Sequence, residues 1–170
     1  MTRIVADTSA LVSLGTVDDS RLFDIVCDTY EVVIPEQVSD ELAETASYDD
    51  TAGRAAERVR ERAASFEIRA VTLDETFPLD DGENAAVTLA NKLDASELLC
   101  DEFNRLALVH ASLVDSRLVT TPTLLTALVR SGVLPPSTAR AWLSAMSDAR
   151  SWASNAYVRR ARSTLEQQSE

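Results

Sequence analysis

The chain has 170 residues, 45% of them apolar, which is enough to bury a sizeable core without disulfide or metal staples. Its net charge is −12, and Lys92 is the one lysine among sixteen cationic residues. No apolar run approaches the ~18 residues of a helical membrane span, and Cys27 and Cys100 form no CxxC or other close ligand spacing. The two cysteines lie in apolar stretches and are expected to be buried thiols. The start, MTRIVADTS, carries no signal-peptide pattern and points to the cytoplasm. Acidity combined with arginine in place of lysine is expected of a halophile. Near 1 M salt the Debye length is ~3 Å, so such acidity does not exclude nucleic acid as a substrate.

In chain order, short apolar runs at 2–6, 31–34, 67–73, 97–100 and 117–120 read as strands, the second ended by Pro35. Helical patterns lie between them at 9–14, 19–26, 35–45, 51–65, 81–93 and 102–111. Beyond Thr121 no strand signal remains. A helix at 123–131 is stopped by Gly132, Ser137 should cap another, and a last amphipathic helix is expected over 152–165. The terminal EQQSE is expected to fray. Strands alternating with helices predict an α/β protein, a three-layer α/β/α sandwich with a central parallel sheet of four or five strands. The expected division is an α/β domain at 1–120 and a helical extension at 121–170 packed on it.

In an open parallel sheet, ligands bind beyond the carboxyl ends of the strands. Asp7 directly follows the first strand and Asp101 the fourth. Glu41 lies on the helix after the second strand, in PEQVSDELAE. Glu83 opens the helix before the fourth, in LDDGENAAVTLA. Acids converging from four segments would raise one another's pKa, a conflict that a divalent cation removes. Oxygen donors with open positions suit Mg2+ or Mn2+, which can activate water for attack on a phosphodiester.

With these residues in place, DTSALVSL, the glutamate after strand two, LDDGENAAVTLA and LLCDE resemble, in order and spacing, the PIN-domain family. The Gly-Glu pair and the tail with SGVLPP are similar to one branch of it. The resemblance implies a parallel sheet with helices on both faces and Mg2+- or Mn2+-dependent endoribonuclease chemistry. It also implies a homodimer and, for many members, a toxin held by an antitoxin protein. Carried over by position, Asp7, Glu41, Glu83 and Asp101 are the catalytic acids, with Asp7, Glu83 and Asp101 as metal ligands. Ser9 matches the hydroxyl position after the first acid, where it would orient Asp7 or cap the following helix. Asp80 and Asp81 compete with Glu83 as third acid, and Glu102 and Asn104 stand where a further aspartate often follows Asp101.

Plainer readings stand beside these. Asp7 and Glu83 could serve only helix N-termini, and Glu41 could be a solvated helix residue. Arg54, Arg58 and Arg62 share a helical face suited to RNA phosphates, but Glu57 and Glu61 allow ion pairs on a solvated face instead. His110 is expected to be structural, and Trp142, Trp152 and Tyr157 to pack the C-terminal helices. A single histidine excludes a two-histidine ribonuclease mechanism, and no GxSxG elbow, Walker loop or GxGxxG is present. The rival to an RNA nuclease is a catalytically silent PIN-like module that binds nucleic acid or protein. A metal phosphatase on a similar sheet is a third reading, for which no phosphate-cradling glycine loop is found.

Overall fold

The computed structural model describes residues 1–168. Among them, β1 (Thr2–Ala6), β2 (Tyr30–Pro35), β3 (Glu67–Arg69), β4 (Glu97–Leu99) and β5 (Arg117–Val119) form one parallel sheet in the order β3-β2-β1-β4-β5. The central β1 sets Ile4 opposite Val32 and Val5 opposite Leu98. The helices in chain order are α1 (Thr8–Gly15), α2 (Arg21–Thr29), α3 (Glu36–Ala46), α4 (Thr51–Arg60), α5 (Asp81–Leu93), α6 (Leu106–Ser112), α7 (Thr121–Arg130), α8 (Pro136–Arg150) and α9 (Ala156–Gln167).

Strand side chains alternate between two faces, and each face has its own core. Ile4, Ala6, Val32, Ile34 and Leu99 pack beneath α1–α4 and α7–α9. Val5, Val33 and Leu98 pack beneath α5 and α6, against Ala86, Leu89, Ala90 and Val109. Burial on both faces is why these strands read as continuous apolar runs. The result is the expected α/β/α sandwich with five strands, unequal in its two helical layers. No helix among the described residues is long and apolar enough to cross a membrane.

Boundaries moved where tertiary pairing overrides local pattern. The strand expected over 67–73 stops at Arg69, which pairs with Pro35, the last residue of β2. Beyond it the edge strand has no partner, and Pro35 offers no N–H. The helix expected to reach Ser65 ends at Arg60, followed by a 3-10 turn over Ala63–Ser65. The helix expected from Glu102 begins at Leu106, leaving 102–105 as a loop. Ser137 is not a cap: α8 starts at Pro136, a residue suited to a first turn because it lacks the N–H that would be orphaned there. The last helix starts at Ala156, where the Asn155 side chain accepts from the Tyr157 and Val158 amides. Of EQQSE, Glu166 and Gln167 are helical, and the last two residues lie outside the described residues.

Candidate active site

Strand order reverses at β1: β2 lies on one side of it and β4 on the other, and the crevice at such a reversal is where open α/β sheets bind ligands. Asp7 and Asp101 stand there. Asp7 leaves β1 with its amide bonded to the Leu99 carbonyl at 2.9 Å. Both aspartates are buried, at 3% and 4% exposure. Ser9 joins them: its hydroxyl donates to Asp7 Oδ2 at 3.0 Å and accepts from the Asp101 amide at 2.9 Å. The Cys100 thiol also donates to Asp7 Oδ2, at 3.5 Å. Asp7 occupies the N-cap position of α1 but makes no side-chain cap bond, so capping does not account for it. Asp101 Oδ1 accepts from the Thr121 amide at 2.7 Å, whereas its Oδ2 is buried with no partner among the described residues.

The two glutamates arrive from α3 and α5. Thr8 donates to Glu41 Oε1 at 2.6 Å, tying α3 to the start of α1. Gly82 leaves room for that carboxylate, since a Cβ at Gly82 would lie 2.0 Å from Glu41 Oε1. Here is the physical reason for a glycine before Glu83. Glu83 is 3% exposed and does two jobs. It completes a capping box with Asp80, its amide donating to Asp80 Oδ1 at 2.9 Å and its Oε1 accepting from the Asp80 amide at 3.4 Å. Its carboxylate also receives Arg105 Nε at 2.7 and 3.0 Å. The helix N-terminal reading of Glu83 is therefore real, and incomplete.

Burial pushes the Asp7 carboxyl up to about 7; bonds from Ser9 and Thr8 oppose this, and Glu41 and Glu102 add to it. Asp101 is raised by burial. Glu41 is raised by burial and by the charges of Asp80, Glu102 and Glu83, partly offset by Thr8. Glu102, half-buried, is raised by burial and then by Glu83, with Arg150 and Arg105 opposing. These mutual charge effects place Asp7, Glu41, Asp80, Glu83 and Glu102 within one electrostatic neighbourhood. Among the described residues, no three acids, histidines or cysteines stand as a formed metal-binding group. The donor chemistry nevertheless fits a hard divalent cation. The candidate ligands are all carboxylate oxygens, and Asp101 Oδ2 is a buried acceptor without a donor.

Other expected residues lie elsewhere or differently engaged. Asp81 is exposed at the start of α5. Asn104 is exposed in the loop after Asp101. Arg54, Arg58 and Arg62 pair with Asp49, Asp18 and Asp24 at 3.7, 3.7 and 2.6 Å, and Arg58 also bonds the Gly15 carbonyl. Trp142 and Trp152 are buried as expected, but Tyr157 is 39% exposed. His110 is exposed on α6 rather than packed, because it sits on the outer face beside buried Val109. Cys100 is buried, and Cys27 only half so. Arg105 and Thr121 carried no sequence signal, since each meets its acid about twenty residues away along the chain.

No curated protein matches the chain. A family model described as DUF3368, a PIN domain, matches residues 3–167, nearly the whole chain, and with it the sheet and the helices after β5. The chain belongs to the PIN-domain family, whose members are generally nucleases.

Proposed function

We propose that the protein is a divalent-metal-dependent endoribonuclease that hydrolyses RNA phosphodiester bonds. The observation that carries this reading is the pair of buried aspartates, Asp7 and Asp101, joined through Ser9 at the strand-order reversal, with one carboxylate oxygen of Asp101 left without a donor. Asp7, Glu83 and Asp101 would hold Mg2+ or Mn2+, with Glu41 completing the set. A bound ion would supply Lewis-acid stabilisation of the phosphate and a more acidic water.

The chain's own residues do the positioning. Ser9 fixes the rotamer of Asp7 and ties it to the backbone of Asp101, so the ends of β1 and β4 keep one spacing. The Thr121 amide, in the first turn of α7, holds Asp101 Oδ1 and leaves Oδ2 available. Thr8 orients Glu41 toward the same end of the sheet. The raised pKa of Glu41 and of Glu102 suits either for accepting a proton from attacking water.

A labelled single-stranded RNA incubated with Mn2+ tests the proposal. Cleavage that falls by at least about a hundredfold in Asp7→Asn and in Asp101→Asn, with folding intact, is the expected result. Cleavage insensitive to both substitutions sinks it. A toxin role adds that expression arrests growth and that Asp7→Asn relieves the arrest. The second reading, a silent binding module, is favoured by one observation: Arg105 already occupies both oxygens of Glu83. RNA binding without cleavage at any Mn2+ concentration would support it.

A further inference from the structure

Charge in this chain is divided by segment. Residues 121–170 carry six arginines against three acids, within a chain whose net charge is −12. The surroundings of the arginines differ in the same way. Among the described residues, every arginine from Arg3 to Arg105 forms an ion pair, whereas Arg130 and Arg160 line grooves that no described acid lines. The available positive charge is therefore on the C-terminal helices, not on α4 where sequence spacing suggested it.

A groove of about 400 Å³ opens between α6, the edge strand β5 and α9, and a second of about 240 Å³ continues it along α7. Tyr157, Arg160 and Thr123 line both. His110 stands in the first and Arg130 in the second, and no described acid lines either. The grooves beside α4 differ, since Glu57 and Glu61 line one and Asp18, Asp19 and Glu61 the other. Tyr157 stacks on Phe103, with ring centroids 5.4 Å apart and planes 21° apart, while remaining 39% exposed. Phe103 is two residues past Asp101. Thr120, in the groove wall, precedes the Thr121 amide that holds Asp101.

We propose that this groove binds single-stranded RNA, a base against Tyr157 and phosphates at Arg160 and Arg130, leading the strand past Phe103 to the acids. The inference rests on the nuclease reading and names where its substrate lies. An aromatic ring beside guanidinium groups in a groove that no described acid lines is the chemistry of strand binding without sequence preference: the ring takes any base face and the cations follow the backbone. Charge complementarity selects the occupant, because a polyanion avoids the acidic remainder of the chain and finds its counter-charge here.

The test is binding of a fluorescein-labelled single-stranded RNA to the full chain in chelator, where cleavage does not intervene. Tyr157→Ala and Arg160→Gln should each weaken binding roughly tenfold. Tyr157→Phe should bind as wild type, which separates stacking from a folding defect. Arg54→Gln, on ion-paired α4, should change nothing. Arg160→Gln should also lower the salt slope, by ~0.7 for each phosphate that it ceases to neutralise. Wild-type binding that is undiminished in both groove variants overturns the groove and leaves the nuclease reading standing. No RNA binding by wild type overturns the groove as well, and the Mn2+ cleavage assay then decides whether the nuclease reading falls with it. A changed sedimentation coefficient in Tyr157→Ala with unchanged RNA affinity also overturns it, in favour of an interface between copies.

Discussion

At the scale of single residues, the site is held by donors that belong to the protein, and this has a pH signature. Asp7 has a folded pKa near 7 against an ordinary 3.8, chiefly from burial. Between about pH 4 and about pH 7 the folded chain keeps a proton that the unfolded chain has lost. Stability in chelator must therefore fall as pH rises through that window and level off above it, by as much as ~4 kcal/mol for a fully buried carboxyl. Asp101, Glu41 and Glu102 are also raised and act in the same direction. Urea unfolding of wild type and Asp7→Asn across this range is the measurement. Asp7→Asn should flatten the profile and be the more stable protein at its alkaline end; a profile of unchanged slope would remove Asp7 as its source. Arg105 gives a second prediction. It neutralises Glu83 with two bonds from one nitrogen, so it competes with any cation that needs the same oxygens. Arg105→Gln should tighten Mn2+ binding in calorimetry by roughly tenfold while lowering the metal-free melting temperature. Weaker Mn2+ binding would show instead that Arg105 positions Glu83 for the ion.

At the scale of elements, glycines mark where helices approach one another closely, and they are not equivalent. A Cβ at Gly82 meets the carboxylate end of Glu41, a flexible group that can swing away. A Cβ at Gly15 meets the Ala55 carbonyl at 2.3 Å, which is backbone of α4 and cannot. Gly82→Ala should therefore cost less than about 1 kcal/mol, since alanine also gains helix propensity, yet displace Glu41 and weaken Mn2+ binding. Gly15→Ala should destabilise by about 1–3 kcal/mol through forced separation of α1 and α4. Paired melting curves and Mn2+ titrations check both, and equal effects on stability would contradict the distinction. The same contrast explains what could be read in the sequence. Asp7 and Asp101 were legible because a charge directly after a buried strand is unusual and both strands were plain. The Gly-Glu pair was visible as a pattern, but its cause, a carboxylate from α3 pressed against α5, was not, because the two helices meet only in three dimensions. The loop over 102–105 was read as helix because Leu106 and Val109 continue a helical spacing that the backbone takes up only at Leu106. Arg54, Arg58 and Arg62 shared a face as spacing required, but their partners came from Asp49, Asp18 and Asp24, which helical periodicity cannot bring together.

At the scale of the whole molecule, the strands stop at Val119 but the larger core does not. Leu124, Leu125 and Leu128 of α7, Trp142, Leu143 and Met146 of α8, and Val158 and Leu165 of α9 share one cluster with Ile4, Leu11 and Phe23. Fully burying each such side chain contributes about 1.5–3 kcal/mol, whereas whole domains are stable by only about 5–15 kcal/mol. Removing three helices thus removes more than the margin, even after discounting for residual structure in the unfolded chain. It also removes the Thr121 amide from Asp101, leaving a second oxygen of a buried carboxylate without a donor. A chain ending at Thr120 should accordingly show no cooperative thermal transition by circular dichroism or calorimetry, and its amides in β4 should exchange without strong protection. The Asp7–Ser9–Asp101 arrangement would fail with it, because Asp101 is fixed by α7 as much as by β4. A truncated chain that melts cooperatively within about 2 kcal/mol of the full one would mean that α7–α9 cover a core already complete without them. The site would then be the property of the first 120 residues alone, and the basic helices an addition whose contribution lies wholly in what they bind.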